Sequence, residues 1–291
     1  MRLAVHAMAT RFELVLPGDD TVRLRAAGEQ ALNSIERLDR LLSFYRSDSE
    51  ITMLNRQGSE RSVRLSREVF DLLHRCAELS RQTGGAFDVT VGPLMRAWRF
   101  VGGTGAIPPD AELEETRRRI GAQFLSFDTD QMTVRLLVSG VEVDLGAVGK
   151  GYAIDAAIQE LRDNGIGSAL LHGGTSSVHA IGGPDGERSW RVRWAGADDE
   201  AAAVVQLRDT ALSVSAAHGK AFVQDGRQYG HVIDPRTGMP VSAGSACVTG
   251  PRSCLCDALS TALLVRGEEW LPQMRAQWPE YEGRVAPLRT S

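Results

Sequence analysis

The stretch VEVDLGAVGKGYAID, residues 141–155, limits what this chain can fold into more than any other segment. It alternates apolar and polar residues as a strand does, then has three glycines around Lys150, and continues with the pattern of a helix. A glycine-rich turn that opens a helix exposes backbone N–H groups and the positive end of the helix dipole, which together bind phosphate. The stretch therefore predicts a strand–turn–helix junction suited to a phosphate group.

Two common phosphate-binding motifs do not fit this junction. A Walker loop needs a glycine five residues before Gly149, where Asp144 stands, and a GxGxxG motif begun at Gly149 needs a glycine where Ile154 stands. An acidic residue beside a phosphate site calls for a metal ion or a sugar hydroxyl as its partner. Alternatively, Asp144 accepts hydrogen bonds from the N–H groups of the turn that follows it. This segment alone leaves both interpretations open.

Composition and the order of elements indicate an α+β protein. The 291 residues are 43% hydrophobic and 24% charged, which suffices for a large domain with a sizeable core. The net charge of −4 and the absence of a basic run argue against a general nucleic-acid binder. Helical and strand-like patterns are intermixed without a strict βαβ rhythm, so α+β is favoured over a doubly wound sheet.

Location and redox state follow from features that the sequence lacks. It shows no export signal, no lipidated-cysteine motif and no run of eighteen apolar residues, so the prediction is a cytoplasmic protein without a membrane span. In that setting disulfides are not expected, and one CxC pair without a second pair does not make a structural zinc site. Buried thiols are therefore predicted at Cys76, Cys247, Cys254 and Cys256.

Periodicity and turn residues predict the order of the elements. The predicted helices cover residues 21–44, 48–54, 66–84, 110–120, 149–162 and 255–265, with a tryptophan-rich helix after the last of these. Ser66 and Asp110 are expected to cap their helices, and Asn164-Gly165 closes the helix that starts at the glycine turn. The predicted strands cover 3–16, three short segments within 123–144, 168–172, 176–181, 190–194, 202–207, 211–215, 221–224, 229–233 and 246–249, and a loose tail ends the chain.

Asp257 and Thr261 are candidate metal ligands. They are four residues apart in CDALSTALL, so on a helix they share one face, and carboxylate and hydroxyl oxygens are ligands that magnesium accepts. The competing interpretation is a threonine that bonds back to the carbonyl one turn earlier, beside an aspartate near a helix start. Taken alone, this segment favours the structural interpretation.

Taken alone, His231 favours a structural interpretation, whereas the pair Phe87-Asp88 leaves two interpretations open. His231 lies in YGHVIDPRTGMP, where Asp234-Pro235 and Gly238 explain a turn without any function. Phe87 and Asp88 follow a glycine pair that ends a helix. An exposed aromatic ring beside a carboxylate suits a heteroaromatic ligand, whereas a buried Phe87 with Asp88 in a turn is a purely structural arrangement.

Six segments, in order, resemble the FAD:protein FMN transferase family, the ApbE-like flavin transferases. They are MATRFEL at 8–14, LLSFYRSDSEITMLN at 41–55, TGGAFDVTVGPL at 83–94, VDLGAVGKGYAID at 143–155, YGHVIDPRTGMPV at 229–241 and CDALSTAL at 256–263. The resemblance covers about residues 3–267 and leaves a C-terminal helix and tail at 268–291. It implies an ApbE-like, two-lobed single domain over residues 1–291 with a flavin cleft.

The resemblance also implies an activity and a set of site residues. The family moves the FMN part of FAD onto a Ser or Thr hydroxyl of a client protein and releases AMP. By resemblance, magnesium is held by Asp257, Thr261 and the carbonyl of Ala147, while Asp257 and His231 are the catalytic residues, His231 receiving the acceptor proton. The FAD site is implied to consist of Met8, Tyr45, Ala86, Phe87, Asp88, Asp144 and Lys150.

The sequence departs from the family pattern at two places. Val214-Ser215-Ala216 stands where the family commonly reads Thr-Ser-Gly, and Thr175 stands where an acidic residue usually follows the glycine pair Gly173-Gly174. Many family members are exported, and this chain shows no export signal. Two alternatives therefore stay open beside the transferase: an FAD pyrophosphatase that yields FMN and AMP, and a protein that binds FAD without catalysis.

Overall fold

The computed structural model of the chain describes residues 1–184, 186–194, 203–217, 221–241 and 244–286. The chain divides into two units, one made of residues 1–39, 146–215 and 244 onward, and the other of residues 40–145 and 216–243. Both units contain helices and antiparallel strand pairs, which confirms the α+β class. That residues 1–291 form a single domain stays a prediction.

The elements are numbered in chain order. The helices are α1 (Thr21–Leu42), α2 (Glu50–Gln57), α3 (Arg67–Gln82), α4 (Gly92–Ala97), α5 (Asp110–Arg117), α6 (Gly149–Asp163), α7 (Ser253–Arg266) and α8 (Leu271–Gln277). The strands are β1 (Arg2–Ala7), β2 (Thr10–Val15), β3 (Val63–Arg64), β4 (Leu125–Asp128), β5 (Thr133–Leu136), β6 (Ala169–Gly173), β7 (Ser177–Ile181), β8 (Trp190–Trp194), β9 (Ala203–Leu207), β10 (Thr210–Ala216), β11 (Ala221–Gln224), β12 (Arg227–Gly230), β13 (Ser245–Gly250) and β14 (Glu282–Ala286).

A seven-stranded sheet in the order β1-β2-β6-β7-β10-β13-β14 organises the first unit. Strand β7 is buried on both faces. On one face, Val178 and Ala180 pack with residues of the antiparallel hairpin β8–β9. On the other face, Ser177 and His179 hydrogen-bond to side chains of α7. Because successive residues of a strand point to opposite faces, the hydroxyl and imidazole groups of β7 all face the helices.

The first strand prediction was wrong. Residues 3–16 form a hairpin in which β1 and β2 pair antiparallel, with Met8 and Ala9 at the turn. Both turn residues have positive φ, 49° for Met8 and 57° for Ala9. Such turns usually contain Asn or Gly, and this one has neither, so its residues carry no turn signal. Asp39 stabilises the turn, because its carboxylate accepts from the Met8 N–H at 2.8 Å.

Three further predictions need correction. Only β4 and β5 form within 123–144, and the expected third strand is reduced to a single bridge between Val91 and Glu142. Asp110 does not cap α5 but is its first residue, and the helix ends at Arg117 rather than Ile120. The tail is not loose up to residue 286, since β14 pairs antiparallel with β13. Residues 287–291 of the tail, and residue 202 of the predicted strand 202–207, lie outside the described residues.

The cap predicted at Ser66 is confirmed, and a further serine caps α2. Ser66 accepts a hydrogen bond from the Val69 N–H at the start of α3, and Ser49 does the same for Thr52 in α2. Helix α6 ends at Asp163 with Asn164 as its C-cap residue. All four cysteines are free and buried, as predicted.

An aromatic cluster forms part of the core of the second unit. Leu94, Trp98, Phe100 and Ile233 are buried together, with Phe222 and Tyr229 packed against them. The Trp98 indole N–H also donates to the carbonyl of Gly238 at 2.8 Å. This bond and the packing of Ile233 hold both sides of the turn at 234–238, which follows His231.

Candidate active site

The glycine turn is closed by a carboxylate from elsewhere in the first unit. Helix α6 begins at Gly149, and its N-cap residue Val148 provides no side-chain hydrogen bond. Instead, the N–H of Gly151 in the first turn donates to Oδ2 of Asp257 at 2.7 Å. A negative charge at this end of the helix is favourable, because the free N–H groups and the helix dipole make it positive.

Helix α7 is in turn capped by a carboxylate of α6. The carboxylate of Asp155 accepts from the N–H groups of Ser253 at 2.7 Å and Cys254 at 3.1 Å, the first two residues of α7. It also accepts from Nε of Arg252 at 3.2 Å. The two helices thus exchange carboxylates, Asp257 capping α6 and Asp155 capping α7, and this exchange fixes Asp257 beside the glycine turn.

Gly151 makes this contact between the helices possible. A Cβ atom at Gly151 would lie 2.5 Å from the carbonyl carbon of Ser253 and 2.8 Å from the nitrogen of Cys254, with the Ser253 oxygen closer still. These are backbone atoms of α7, so they cannot move aside as the end of a side chain can. The second glycine of the GKG sequence is therefore required for packing.

Asp257 is buried and hydrogen-bonded on both carboxylate oxygens. Its exposed fraction is 5%. The hydroxyl of Ser177 donates to Oδ1 at 2.8 Å, and the hydroxyl of Ser213 donates to the same oxygen. Burial raises the pKa of Asp257, while the charge of Lys150 and the three hydrogen bonds oppose that rise. Lys150, the second residue of α6, is half-buried.

Thr261 lies one turn after Asp257 on α7, as the spacing predicts, and is half-buried. Its hydroxyl is 3.0 Å from that of Ser215, which in turn is 2.9 Å from the hydroxyl of Ser260. Ala147, the third implied metal ligand, is half-buried in the turn just before α6. Asp257, Thr261 and Ala147 therefore all belong to the first unit.

The departure from the family pattern at Val214 does not remove a hydroxyl from the surroundings of Asp257 and Thr261. Val214 packs in the apolar cluster with Leu212 and the β8–β9 hairpin. Ser213 and Ser215, on either side of it in β10, bond to side chains of α7. The alternation of the strand therefore directs position 214 away from Asp257. The other departure, Thr175, is exposed in the turn between β6 and β7.

In the second unit, the backbone beside Asp144 is held by Asn55. The amide of Asn55 accepts from the Val143 N–H at 2.7 Å and donates to the Val143 carbonyl at 2.9 Å. The Asp144 N–H donates to the carbonyl of Val89 at 2.7 Å. Tyr45 is 68% exposed. Partial desolvation and the charge of Asp144 raise the pKa of Tyr45, and Arg96 opposes them, which brings Tyr45 and Asp144 into one electrostatic neighbourhood.

Of the two interpretations of Phe87 and Asp88, the structure agrees with the structural one. Phe87 is 1% exposed and Ala86 is fully buried, so the ring is not exposed as the ligand-stacking interpretation requires. Asp88 accepts from the Ser80 hydroxyl at 2.7 Å, from the N–H and hydroxyl of Thr90 at 2.8 and 2.6 Å, and from the Ala122 N–H at 2.9 Å. Asp88 thus ties α3 to the segments at residues 90 and 122.

His231 is half-buried and directly follows β12, which ends at Gly230, three residues before the predicted strand end. A Cβ atom at Gly230 would lie 2.9 Å from the carbonyl carbon of Ala217, with the Ala217 oxygen nearer. The residue before His231 must therefore be glycine. Met8, the remaining implied FAD contact, lies in the first unit at the tip of the β1–β2 hairpin.

Within the described ranges, no group of three or more His, Cys, Asp or Glu side chains is placed to hold a metal ion. Among the helices described, none is long and apolar enough to cross a membrane.

The fold, the GKG turn and the placement of Asp257 and Thr261 fit a flavin transferase. The model of the ApbE family matches residues 8–283, and the chain belongs to that family. The resemblance drawn from the six segments is thereby confirmed.

Two relatives match most of the chain. The FAD:protein FMN transferase of Treponema pallidum is 30% identical over 84% of this chain and 73% of its own length. The protein of that name from Escherichia coli K12 is 29% identical over 90% of this chain and 77% of its length.

Two solved structures support the fold. The ApbE protein of Thermotoga maritima aligns with a TM-score of 0.90 at 26% identity, over 99% of this chain and 94% of its own. The apo flavinyl transferase ApbE of Pseudomonas stutzeri has a TM-score of 0.83 at 28% identity, over 95% and 88%.

Sequence reasoning missed the residues that support the candidates. Ser177 and Ser213 hydrogen-bond to Asp257, Asn55 to the backbone of Val143 beside Asp144, and Asp155 to the first residue of α7. None of these four residues is among the site residues predicted from the sequence. For the serines a signal was present, because Ser213 and Ser215 alternate with apolar residues in β10 and so share one face. Asp155 and Asn55 act on distant segments and left no local signal.

Proposed function

We propose that this chain is an FAD:protein FMN transferase, an enzyme that moves the FMN part of FAD onto a Ser or Thr hydroxyl of a client protein and releases AMP. The observation that carries the proposal is the carboxylate of Asp257, fixed against the first turn of α6 beside Lys150 in a member of the ApbE family. A carboxylate and a lysine at a helix start suit a diphosphate and its counter-ion.

Asp257, Thr261 and the carbonyl of Ala147 are the groups that we assign to magnesium. All three are oxygen donors of one unit, and oxygen donors are what magnesium prefers. When bound, the ion would supply positive charge to the diphosphate of FAD. Asp257 suits this role because it is held ready by its neighbours, so binding requires little reorganisation.

The reaction needs four events that balance. The acceptor hydroxyl oxygen bonds to the phosphorus of the FMN half, the phosphorus–oxygen bond to AMP breaks, AMP leaves with the bonding electrons, and the hydroxyl proton is taken up. We assign proton uptake to His231, because an imidazole placed within hydrogen-bond distance of the acceptor hydroxyl can take up its proton. We assign to Lys150 the stabilisation of charge on the departing AMP.

The remaining implied residues are proposed to bind FAD. Tyr45 offers an exposed ring for stacking, and Asp144 lies in the same electrostatic neighbourhood. The side chains of Ala86 and Phe87 are buried, so we propose that this segment meets FAD through its backbone, positioned by Asp88. Met8 would contribute from the hairpin tip, where its positive φ fixes the direction of its side chain.

Transfer of FMN tests the proposal. The protein is incubated with FAD, magnesium and candidate clients encoded near its gene, and the products are analysed by intact mass and by chromatography for AMP. We expect a client mass increased by one FMN, matched by AMP, with loss of both in D257A. The matched control S245A should retain both, because Ser245 is a buried hydroxyl without a hydrogen-bond partner among the described residues.

Each other result points to a different function. AMP formed without a client, and lost in D257A, would make the protein an FAD pyrophosphatase that uses water as acceptor. The observation that favours testing for a pyrophosphatase is Thr175, which is exposed where the family usually has an acidic residue. Binding of FAD without AMP under any metal would instead indicate a flavin-binding protein without catalysis.

A further inference from the structure

Asp257 is surrounded by hydroxyl groups that the proposed reaction does not itself use. Ser177 comes from β7, Ser213 and Ser215 from β10, and Ser260 from α7, so three elements converge on one carboxylate. Ser177, Ser213 and Ser260 are at most 3% exposed. Buried hydroxyls are normally found where they have a partner, and here the shared partner is Asp257 or a neighbour of Asp257.

The hydrogen bonds are distributed unequally over the two carboxylate oxygens. Oδ1 accepts from the hydroxyls of both Ser177 and Ser213. Oδ2 accepts from the N–H of Gly151. An ionised carboxylate offers about four acceptor positions, two on each oxygen. The two serines therefore occupy Oδ1 completely, and the described contacts leave one position on Oδ2.

The hydroxyls also connect Asp257 with Thr261. The hydroxyl of Ser260 lies 3.4 Å from that of Ser213 and 2.9 Å from that of Ser215, and Ser215 lies 3.0 Å from Thr261. A threonine that donates its proton to Ser215 keeps its lone pairs for a cation. The same network thus orients both of the ligands that we assign to the metal.

We infer that Ser177 and Ser213 are positioning residues, which hold Oδ1 of Asp257 so that Oδ2 is the single oxygen presented to the divalent cation. This inference rests on the proposed function, since it concerns the same cation. Groups that hydrogen-bond to a metal ligand fix its orientation, and their removal commonly weakens metal binding by about 10- to 100-fold. Neither serine touches the cation or FAD in this scheme.

Metal affinity, measured apart from activity, tests the inference. The protein is titrated with Mn²⁺ in the presence of FAD, and free Mn²⁺ is followed by electron paramagnetic resonance. We expect S213A and S177A each to bind Mn²⁺ about tenfold more weakly, and the double variant to approach 100-fold. FAD affinity without metal should stay within twofold of wild type in all three. S245A is the matched control and should bind Mn²⁺ as wild type does.

The outcomes separate this inference from the proposed function. If wild type binds Mn²⁺ and transfers FMN while S213A and S177A bind Mn²⁺ within twofold of wild type, the positioning role is refuted and the function stands. If wild type neither binds Mn²⁺ nor transfers FMN, the proposed function fails first. Should one alanine variant not fold, S213T, which keeps the hydroxyl, must restore wild-type affinity, and the remaining single variant must still show the loss.

Discussion

Replacing Gly151 by alanine would place a methyl group against the backbone of α7. The new Cβ would start 2.5 Å from the Ser253 carbonyl carbon and 2.8 Å from the Cys254 nitrogen. Ordinary carbon contacts are about 3.5–4.0 Å long, so the start of α7 must move away by about 1 Å. That movement would stretch the hydrogen bond from the Gly151 N–H to Asp257, which is 2.7 Å long.

Three terms set the size of the effect. Overpacking in a well-packed region costs about 1–3 kcal/mol. Weakening a hydrogen bond to a charged group costs about 1.5–3 kcal/mol. The better helix propensity of alanine returns at most about 1 kcal/mol. We therefore expect a net destabilisation of about 2–5 kcal/mol. At about 2–4 °C per kcal/mol for a chain of this size class, the unfolding midpoint should fall by about 4–20 °C.

Thermal unfolding followed by circular dichroism measures the effect, with G167A as the matched control. A Cβ at Gly167 would meet no atom within 4 Å, so G167A should change stability by less than about 1 kcal/mol. Because G151A also displaces Asp257, its Mn²⁺ affinity should fall as well. A G151A protein within 1 kcal/mol of wild type would refute the packing argument, and normal Mn²⁺ binding would refute the link to Asp257.

Three further predictions concern other polar groups. Burial lowers the pKa of His179 to about 4, although the charge of Asp155 opposes this shift, so the unfolded chain binds a proton at a higher pH than the folded protein. The stability that His179 contributes should therefore be complete above pH 6.5 and fall by about 3 kcal/mol towards pH 4. Denaturation measured over this pH range should show no such decrease in H179N. N55A removes both hydrogen bonds to Val143 and should cost about 2–4 kcal/mol in guanidinium unfolding while weakening FAD binding through Asp144; unchanged values in both assays would contradict this role. In D88N an amide NH2 replaces one carboxylate oxygen and faces two of the four donors, which should cost about 3 kcal/mol. A guanidinium unfolding curve that superimposes on that of wild type would contradict this prediction.

Elements with a local signal could be predicted from the sequence. Ser66 and Ser49 stand next to apolar periodic segments, and their hydroxyls cap α3 and α2. The four-residue spacing of Asp257 and Thr261 predicts that they lie one turn apart on a helix, and they do so on α7. In these cases a few neighbouring residues determine the structure, so a short stretch of sequence contains the information.

Features that depend on distant partners could not be predicted. Met8 and Ala9 adopt positive φ although neither residue favours it, because the pairing of β1 with β2 and the bond to Asp39 hold them there. Nothing near Asp155 indicates that it caps a helix 98 residues further on. Strand β14 forms because it pairs antiparallel with β13 at the edge of the sheet. In each case tertiary contacts outweigh local preference.

The exchange of carboxylates between α6 and α7 has a consequence for how the protein is made. Its hydrogen bonds join residues 98 to 106 positions apart. At about 5–20 residues per second, α6 waits roughly 5–20 seconds on the ribosome before its capping partner is synthesised. All residues of the second unit have been made by position 243, so that unit can fold while the first is still incomplete. A nascent chain that stops before residue 253 can form neither capping interaction, because α7 and Asp257 are still missing, and no prematurely released fragment of that kind can assemble the Asp257 site.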